Sequence, residues 1–244
     1  MKRVTAGRRI GLARVLSKRG LCSRTAAERM IRAGEVRVRG RVVRDPESAT
    51  NENETAITLA GAPAAAVERR CLMLNKPRGL LTTHRDEQGR DTVYRCFDGH
   101  QLGWIAPVGR LDKASEGLLL FSNDPAWAAR ITDPLTGPVK TYHVQVAGLP
   151  AEADMRRMEA GVVIDGERLA AQRARLLRHG EKNAWLEIVL DEGRNRQIRR
   201  ILGALDFDVL RLLRVAIGPL QLGDLGKGEW RELSAVEAER LIAG

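Results

Sequence analysis

The segment GRLDKASEG, residues 109–117, concentrates charged side chains directly before an apolar run. Asp112 lies between Arg110 and Lys113, and the run LLLF follows at 118–121. Because this run has the length and character of a buried strand, the aspartate is expected at the mouth of that strand. A carboxylate flanked by cations can stay ionised while it is partly shielded from water. In that state it can act as a nucleophile or as a base.

An ordinary structural role also fits these residues. Gly109 permits a tight backbone, and an aspartate in a turn commonly accepts hydrogen bonds from neighbouring amides. The segment KPRG at 76–79 is equally ambiguous, because it fits both a basic turn at a strand end and a functional loop. Residue types and spacing leave both interpretations open at these two segments.

The positive charge of the chain is concentrated in its first fifth. Residues 1–45 contain 14 Lys or Arg and three acidic residues, a balance of +11, whereas the whole chain carries +10. The remaining residues therefore sum to −1. Charge segregated in this way is typical of a surface that binds a polyanion, because neutralised phosphates release their counterions. Charge alone also leaves open a solvated basic tail.

A cation to partner Asp112 is expected from the helix predicted over 195–205. At 100° per residue the apolar residues of this helix form one buried stripe, which consists of Ile198, Ile201, Leu202 and Leu205. Arg196 and Arg200 fall on the opposite face, where they would meet solvent or RNA. Arg199 falls on the flank of the stripe, so it is the arginine best placed to reach inward.

Tyr142 is one of only two tyrosines in the chain and lies in the predicted strand 141–149. An aromatic ring with a hydroxyl group is suited to stacking on a nucleobase. A single tyrosine in a strand equally fits a position in the core. Both interpretations stay open for this residue.

Helical periodicity near the N-terminus argues against a disordered tail. A first short helix, which Gly20 can end, is predicted from the spacing of Leu12, Val15 and Leu16. A second helix is predicted between an N-cap at Ser23 and a terminating Gly34. Its buried face consists of Ala26, Ala27, Met30 and Ile31.

A hairpin follows the second helix. Four valines flank the dipeptide RG at 39–40, namely Val36, Val38, Val42 and Val43. The alternate face carries Arg37, Arg39 and Arg41. Two helices and a hairpin with surface arginines and few aromatics suit the binding of phosphates and RNA shape. This pattern, within residues 11–60, resembles the small RNA-binding module known as the S4 domain, which implies RNA binding and no particular chemistry.

The rest of the chain alternates short apolar runs with polar loops. Residues 61–68, GAPAAAVE, are a predicted linker, which separates a basic extension at 1–10 and an RNA-binding domain at 11–60 from a larger domain at 69–244. Strands are predicted at 71–75, 117–123, 141–149, 184–190 and 208–217, and helices at 125–132, 151–161 and 195–205. The predicted fold class is α+β, with a mixed, mainly antiparallel sheet flanked by helices in the larger domain.

The composition argues against several classes of protein. No apolar run approaches the roughly 18–20 residues of a membrane span, and the basic start lacks the apolar stretch of a signal peptide. A cytoplasmic protein without membrane contact is therefore expected. Cys22, Cys71 and Cys96 are far apart and predict neither a disulfide framework nor a zinc site. No glycine-rich dinucleotide or nucleoside triphosphate motif is present.

Four segments of the larger domain together resemble one family. They are NKPRGLLTT at 75–83, GRLDKASEGLLLFSND at 109–124, KTYHVQV at 140–146 and EGRNRQIRRIL at 192–202. In this order and spacing they resemble the pseudouridine synthases, in the branch that carries an S4 domain and modifies ribosomal RNA. The resemblance covers nearly the whole chain. The chain departs from some relatives at Arg196, where those relatives have a histidine.

The resemblance implies a role for five residues. Asp112 matches the essential aspartate of the family, which attacks or otherwise activates the target uridine during cleavage of its glycosidic bond. Arg110 matches an arginine that fills the gap left by the flipped-out base. Tyr142 is implied to pack on the uracil and Ile198 to line the pocket. Arg199 is implied to pair with the aspartate.

The implied reaction needs no cofactor and no metal. Uracil is detached from the ribose, rotated and reattached through its fifth carbon, which is an isomerisation without redox change or group donor. The reacting atoms are inaccessible in a stacked base, so the nucleotide must be flipped into an apolar and aromatic pocket with a basic rim. The expected partner is ribosomal RNA, naked or in a pre-ribosomal particle, with the large subunit favoured over the small. The protein is expected to be a monomer.

Two alternative functions remain. A non-catalytic RNA-binding factor in ribosome assembly could keep the fold without the reaction, although the complete set of Asp112, Tyr142 and Arg199 argues against it. A methyltransferase or nuclease would need a glycine-rich cofactor loop or clustered metal-binding acids, and neither is evident in the sequence.

Overall fold

The computed structural model describes residues 7–84, 86 and 88–243. Within them the chain divides into two compact units. The first comprises the described residues up to Cys71 together with His100–Ala106 and Ser122–Trp127, and the second comprises the other segments from Leu72 onwards. The chain combines helices and sheets, which confirms the α+β class. None of the described helices is long and apolar enough to cross a membrane.

Two short helices in the first unit confirm the predicted pair. They are α1 (Leu12–Lys18) and α2 (Arg24–Ala33). The Ser23 hydroxyl accepts a hydrogen bond of 3.1 Å from the Ala26 amide, as an N-cap does. Gly34 ends α2 in the left-handed conformation with φ of 81°. The buried residues of the unit include Leu12, Val15, Leu16, Ala27 and Ile31.

Short strands complete the first unit. They are β1 (Arg9–Gly11), β2 (Val36–Val38), β3 (Arg41–Val42), β4 (Ala49–Asn51), β5 (Ile57–Leu59) and β6 (Ala62–Pro63). Strand β1 pairs with β4, and the other four form a sheet in the order β3-β2-β5-β6. The predicted hairpin is confirmed as the β2–β3 pair. Its turn residues Arg39 and Gly40 have φ of 52° and 77°, the positive values that a two-residue hairpin turn requires.

Two predicted boundaries differ from the structure. Residues 1–6 of the predicted extension at 1–10 lie outside the described residues, but Arg9 and Ile10 belong to β1 and pair with β4. The predicted linker at 61–68 is wrong at its start, because Ala62 and Pro63 form β6 and Ala64 is buried against the first unit's core. Ala62 and Pro63 form an exposed edge strand, and of the predicted linker only Ala64 is buried.

A nine-stranded sheet dominates the rest of the chain. Its main path runs β13-β14-β10-β15-β9-β7-β17, with β16 paired to β15 and β8 to β9. The strands after the first unit are β7 (Cys71–Lys76), β8 (Ala106–Val108), β9 (Glu116–Ser122), β10 (Lys140–Ala147), β11 (Val162–Ile164), β12 (Glu167–Leu169), β13 (Arg173–His179), β14 (Asn183–Leu190), β15 (Val209–Ile217), β16 (Leu220–Gln221) and β17 (Trp230–Glu232). The helices are α3 (Pro125–Thr132), α4 (Glu152–Ala160), α5 (Gln197–Gly203) and α6 (Ala235–Arg240). A 3-10 helix covers Val93–Phe97.

The pairing directions confirm a mixed, mainly antiparallel sheet. Strand β10 is antiparallel to both β14 and β15, whereas β15 and β9 are parallel. Gly117 is required at the parallel pair: its φ is 101°, and a Cβ built on it would lie 2.3 Å from the carbonyl oxygen of Arg214. The absence of a side chain at Gly117 lets β9 begin against β15, and this places the preceding loop with Asp112.

All five strands and three helices predicted for the larger domain are present, with ends shifted by one or two residues. The prediction missed the edge strand β13, the hairpin of β11 and β12, and the C-terminal β17 and α6. Strand β13 reads RARLLRH, and of its residues only Ala174 is buried. An exposed edge strand of this kind lacks the apolar run on which the prediction depended.

Candidate active site

The loop between β8 and β9 carries Asp112, and its backbone is tied to the segment NKPRGLLTT. The Thr82 hydroxyl donates a hydrogen bond of 2.7 Å to the Leu111 carbonyl. The Gly79 amide donates one of 2.8 Å to the Lys113 carbonyl. Two motifs that are about 30 residues apart in the sequence are therefore joined by backbone contacts, so the basic turn at 76–79 positions the aspartate loop.

Lys76 is the central anchor of this loop. Its side chain is fully buried at the end of β7, and Nζ donates to the carbonyls of Pro77 at 3.1 Å, Asp112 at 3.3 Å and Ser115 at 2.9 Å. Burial lowers the pKa of Lys76 to about 8, although the nearby Asp112 and Glu116 carboxylates act in the opposite direction. This role is not predictable from the sequence, because nothing in KPRG shows that the lysine points into the protein.

The Asp112 carboxylate itself stays available. Its side chain is 40% exposed, and Oδ2 lies 3.7 Å from Nη1 of Arg196, whose side chain is 52% exposed. Among the described residues this is the one ion pair of Asp112 within 4.0 Å. The loop therefore has a fixed backbone and a carboxylate that only a long ion pair constrains.

Arg196 was predicted to meet solvent or RNA, and its side chain is half exposed, but it also approaches Asp112, which the prediction did not include. Helix α5 begins at Gln197, and Arg196 precedes it in the left-handed conformation with φ of 49° and ψ of 32°. The 100° periodicity does not apply to a residue outside the helix, so its side chain is free to approach Asp112. Buried Gln197 holds this turn: its Nε2 donates to Glu192 Oε1 at 2.9 Å, and its Oε1 accepts from the Arg194 amide at 3.2 Å.

Arg199 reaches inward as predicted but binds backbone. Its Nη1 donates to the Val209 carbonyl at 3.2 Å and its Nη2 to the Ala114 carbonyl at 3.4 Å. It forms no ion pair with Asp112 within 4.0 Å in the described residues, so the implied direct pairing is not present in this structure. Burial, together with the charge of Arg196, lowers the pKa of Arg199, while Asp112 raises it. Arg199 thus acts on the aspartate at longer range and holds its loop.

One cavity brings the five candidate residues together. It has a volume of about 620 Å³, which is within the range of small-ligand sites. Its lining includes Arg110, Asp112, Tyr142, Ile198 and Arg199. Tyr142 and Ile198 are buried, whereas Arg110 is exposed. Apolar groups therefore form part of the wall, and a cation stands at the rim.

Two further cations, Lys140 and Arg214, line the same cavity. Arg214 is buried on β15 beside Tyr142, and its Nε donates to the Leu118 carbonyl at 2.7 Å. Burial lowers the pKa of Lys140, and the charge of Arg214 lowers it further. Sequence reasoning missed both residues, although the alternation of β10 and β15 gave a signal: Lys140 lies two residues from Tyr142, on the same face.

The site can hold a flat, uncharged ring beside the Asp112 carboxylate. Tyr142 and Ile198 supply ring-sized apolar contacts, and Asp112 supplies the group for nucleophilic or base chemistry. The surrounding cations suit a ligand that carries phosphates outside the cavity. Across the described residues, no cluster of three or more His, Cys, Asp or Glu side chains could hold a metal ion.

Comparisons with known proteins identify the family. The model of the RNA pseudouridylate synthase family matches residues 70–204, and the model of the S4 domain matches residues 10–54. An uncharacterized RNA pseudouridine synthase of Aquifex aeolicus (strain VF5) is 37% identical over 228 residues, covering 93% of this chain and 91% of the relative. The ribosomal large subunit pseudouridine synthase B of Bacillus subtilis (strain 168) is 33% identical, covering 95% of each chain.

A solved structure agrees with these matches. The crystal structure of a pseudouridylate synthase superposes with a TM-score of 0.67 at 29% sequence identity, and the match covers 95% of this chain and 99% of the other. The matched family segment contains the Asp112 loop, Tyr142 and α5. The chain belongs to the RNA pseudouridine synthase family and combines its catalytic fold with an S4 domain.

Proposed function

We propose that this protein converts a specific uridine of ribosomal RNA to pseudouridine, with Asp112 as the catalytic carboxylate. The observation that carries the proposal is the contrast, within one loop, between a firmly held backbone and a loosely paired Asp112 side chain. Donors from neighbouring segments bind the backbone carbonyls of 111–115, while the Asp112 side chain faces a cavity with only a long ion pair. A catalytic side chain needs a firmly held backbone, because small displacements from the productive geometry lower the reaction rate.

The proposed reaction takes place within this cavity. Asp112 attacks or otherwise activates the uridine, and the bond between the ribose C1′ and uracil N1 breaks. The uracil rotates within the cavity, a bond forms between C1′ and C5, and the proton of C5 is lost as N1 gains one. Atoms and electrons balance within the substrate, so the chemistry calls for no cofactor.

The other residues of the cavity have supporting roles in this proposal. Tyr142 packs on the uracil and Ile198 lines the pocket in which the base turns. Arg110 at the rim fills the gap that the flipped uridine leaves in the RNA stack. Arg199 holds the loop through the Ala114 carbonyl, and Arg196 supplies the charge next to Asp112.

Ribosomal RNA of the large subunit is the proposed substrate. Two relatives, of Bacillus subtilis and Vibrio vulnificus, are named ribosomal large subunit pseudouridine synthases B and E, and this supports the choice. The S4 domain and its excess of arginines support binding of RNA outside the cavity. We further propose that the protein acts as a monomer in the cytoplasm, on RNA that is naked or in a pre-ribosomal particle.

A non-catalytic ribosome-assembly factor is the alternative function. It would need the RNA-binding surface but no reactive carboxylate. The Asp112 side chain, which makes only a long ion pair beside a partly apolar cavity, favours the enzyme, because a binding module has no need to leave a partly shielded carboxylate without a close partner.

Pseudouridine mapping tests the proposal. Ribosomal RNA from cells with and without the gene would be treated with carbodiimide and analysed by primer extension. We expect one signal to disappear with the gene and to return with the wild-type protein, but not with Asp112→Asn. An unchanged pattern in both subunits would contradict the proposed substrate, and a signal restored by Asp112→Asn would contradict the role of the aspartate.

A further inference from the structure

Leu135 stands at the rim of the cavity and is 93% exposed, the highest value among the large apolar side chains that the structure describes as exposed. It belongs to the lining of the cavity that holds Asp112. Single exposed leucines are common on protein surfaces and need no special explanation. A function for Leu135 therefore has to be argued from the rigidity of the turn that carries it and from the position of this turn at the cavity.

The turn that presents Leu135 is rigid. The carboxylate of Asp133 accepts hydrogen bonds from the amides of Leu135 and Thr136, both at 2.9 Å, and the Gly137 amide donates to the Asp133 carbonyl at 3.0 Å. A Cβ built on Gly137 would lie 2.5 Å from that carbonyl oxygen, so the turn has no space for a side chain there. Leu135 is therefore held outward before any ligand binds, which reduces the entropy lost on binding.

The turn also lies next to the loop of Arg110. Gly109 approaches the end of α3 so closely that a Cβ built on it would lie 3.5 Å from Cγ2 of Thr132. Thr132 precedes the Leu135 turn, and Gly109 precedes Arg110. The exposed Arg110 and the exposed Leu135 thus both line the cavity, and the segments that carry them are in contact at Gly109 and Thr132.

We propose that Leu135 packs against the nucleobase that neighbours the flipped uridine. This inference rests on the proposed function, because an RNA substrate is what brings a nucleobase to the rim. When the uridine leaves the stack, the base next to it exposes one apolar face. Leucine is among the side chains that insert as apolar wedges beside unstacked bases. Arg110 then occupies the gap in the strand, and Leu135 covers the neighbouring base.

The test removes the two contact partners separately. The enzyme variants are Leu135→Ala, the conservative Leu135→Met, and Leu149→Ala as a matched control, because Leu149 is 50% exposed and lies outside the cavity lining. The substrate is a fragment of ribosomal RNA that contains the mapped uridine. Two further RNAs carry an abasic ribose directly 5′ or 3′ of that uridine. kcat/KM for pseudouridine formation is measured for each combination.

On the intact RNA we expect Leu135→Ala to lower kcat/KM about tenfold, which corresponds to about 1.4 kcal/mol of transition-state stabilisation. Leu135→Met should stay within about twofold of the wild type, because a side chain of similar volume can make the same contact. Leu149→Ala should have no effect. On one of the two abasic RNAs the wild type and Leu135→Ala should be equally active, since the partner of the leucine is missing.

Three results would overturn the inference. An active wild type with an equally active Leu135→Ala on intact RNA would show that the leucine makes no useful contact, and the proposed function would stand. The same tenfold loss on all three RNAs would show that Leu135 acts through the fold. A wild type that forms no pseudouridine in any ribosomal RNA would remove the proposed function and this inference with it.

Discussion

Two carboxylates of the segment GRLDKASEG, Asp112 and Glu116, are four residues apart and have opposite environments. The Asp112 side chain is 40% exposed and faces one cation at 3.7 Å. The Glu116 side chain is 3% exposed at the start of β9, and it pairs with Arg211 at 2.9 Å and Lys227 at 3.2 Å. Burial alone would raise the pKa of Glu116, but hydrogen bonds from the two cations outweigh it and hold this pKa below its usual value.

The difference separates a structural carboxylate, Glu116, from the carboxylate that we propose to be reactive, Asp112. Each carboxylate oxygen of Glu116 pairs with a cation and the side chain is almost fully buried, so it is not available to a substrate, and it ties β9 to β15 through Arg211. The backbone carbonyls of the Asp112 loop accept hydrogen bonds from neighbouring segments, whereas the Asp112 side chain makes only a long ion pair. One carboxylate of the segment, Glu116, thus stabilises the fold, whereas the other, Asp112, stays accessible from the cavity. The following predictions test this distinction.

The largest effect is expected for Asp112→Asn. Pseudouridine formation should fall by roughly a thousandfold or more, because the amide cannot replace the carboxylate as nucleophile or base. The free energy of unfolding should stay within about 0.5 kcal/mol of the wild type, since the side chain is half exposed and makes only a long ion pair. Single-turnover kinetics and urea unfolding measure the two quantities. A loss of stability as large as that of Glu116→Gln would contradict the comparison.

Lys76→Met should reduce kcat by roughly ten- to a hundredfold without direct contact with RNA. The loop of Asp112 loses its central anchor, and a misplacement of about 1 Å can cost a hundredfold in rate. Lys182→Met, on an exposed lysine outside the cavity lining, is the control. Unchanged kcat in Lys76→Met would show that the other backbone hydrogen bonds suffice to hold the loop.

The same variant has a pH signature. Burial lowers the pKa of Lys76 to about 8 from a reference value of 10.5, so between these values the unfolded chain binds more protons than the folded one. The contribution of Lys76 to the free energy of unfolding therefore rises with pH from about 8 to 10.5. Urea unfolding across this range should show a rise in the wild type relative to Lys76→Met. If the free energy of unfolding of the two proteins had the same pH dependence, the prediction would be contradicted.

Glu116→Gln should destabilise the protein by about 2 kcal/mol, less than the loss of a fully buried ion pair because Arg211 and Lys227 are partly exposed. Since the pKa of Glu116 is held below its reference value of 4.5, its contribution is complete above that pH and is lost as the pH falls through the lower folded value. The stability difference between wild type and variant, measured by urea unfolding, should shrink below about pH 4.5. A constant difference down to pH 3 would contradict the role of the charge.

Arg196→Gln should have the smallest effect, a loss of about threefold in kcat/KM. An ion pair between half-exposed groups contributes little and is screened by salt. The loss should diminish further in a kinetic series of rising salt concentration. A hundredfold, salt-independent loss would mean that Arg196, rather than the loop backbone, controls the aspartate.

The sequence alone was sufficient for the apolar strands of the large sheet, the main helices and the five candidate residues that line the cavity. Strands such as β9 and β14 are apolar runs of typical length, and Ser23 and Gly34 delimit α2 by local rules that depend on few neighbours. The motifs NKPRGLLTT and GRLDKASEG could be found as one-dimensional patterns. Their chemistry could be proposed because residue types and order were enough to recognise the family.

The tertiary structure decided which contacts form between those motifs. Lys76 and Asp112 are 36 residues apart, and no periodicity indicates that the lysine binds the carbonyl of the aspartate. The left-handed backbone of Arg196 and the exposure of Leu135 depend on how α5 and the turn after α3 meet the rest of the chain. Local sequence sets helical and extended preferences, whereas burial, ion pairing and the direction of a side chain are set by residues distant in the chain. The sequence therefore indicated the family and its chemistry, and the packing of the loops decided which carboxylates form close ion pairs, as Glu116 does, and which, like Asp112, do not.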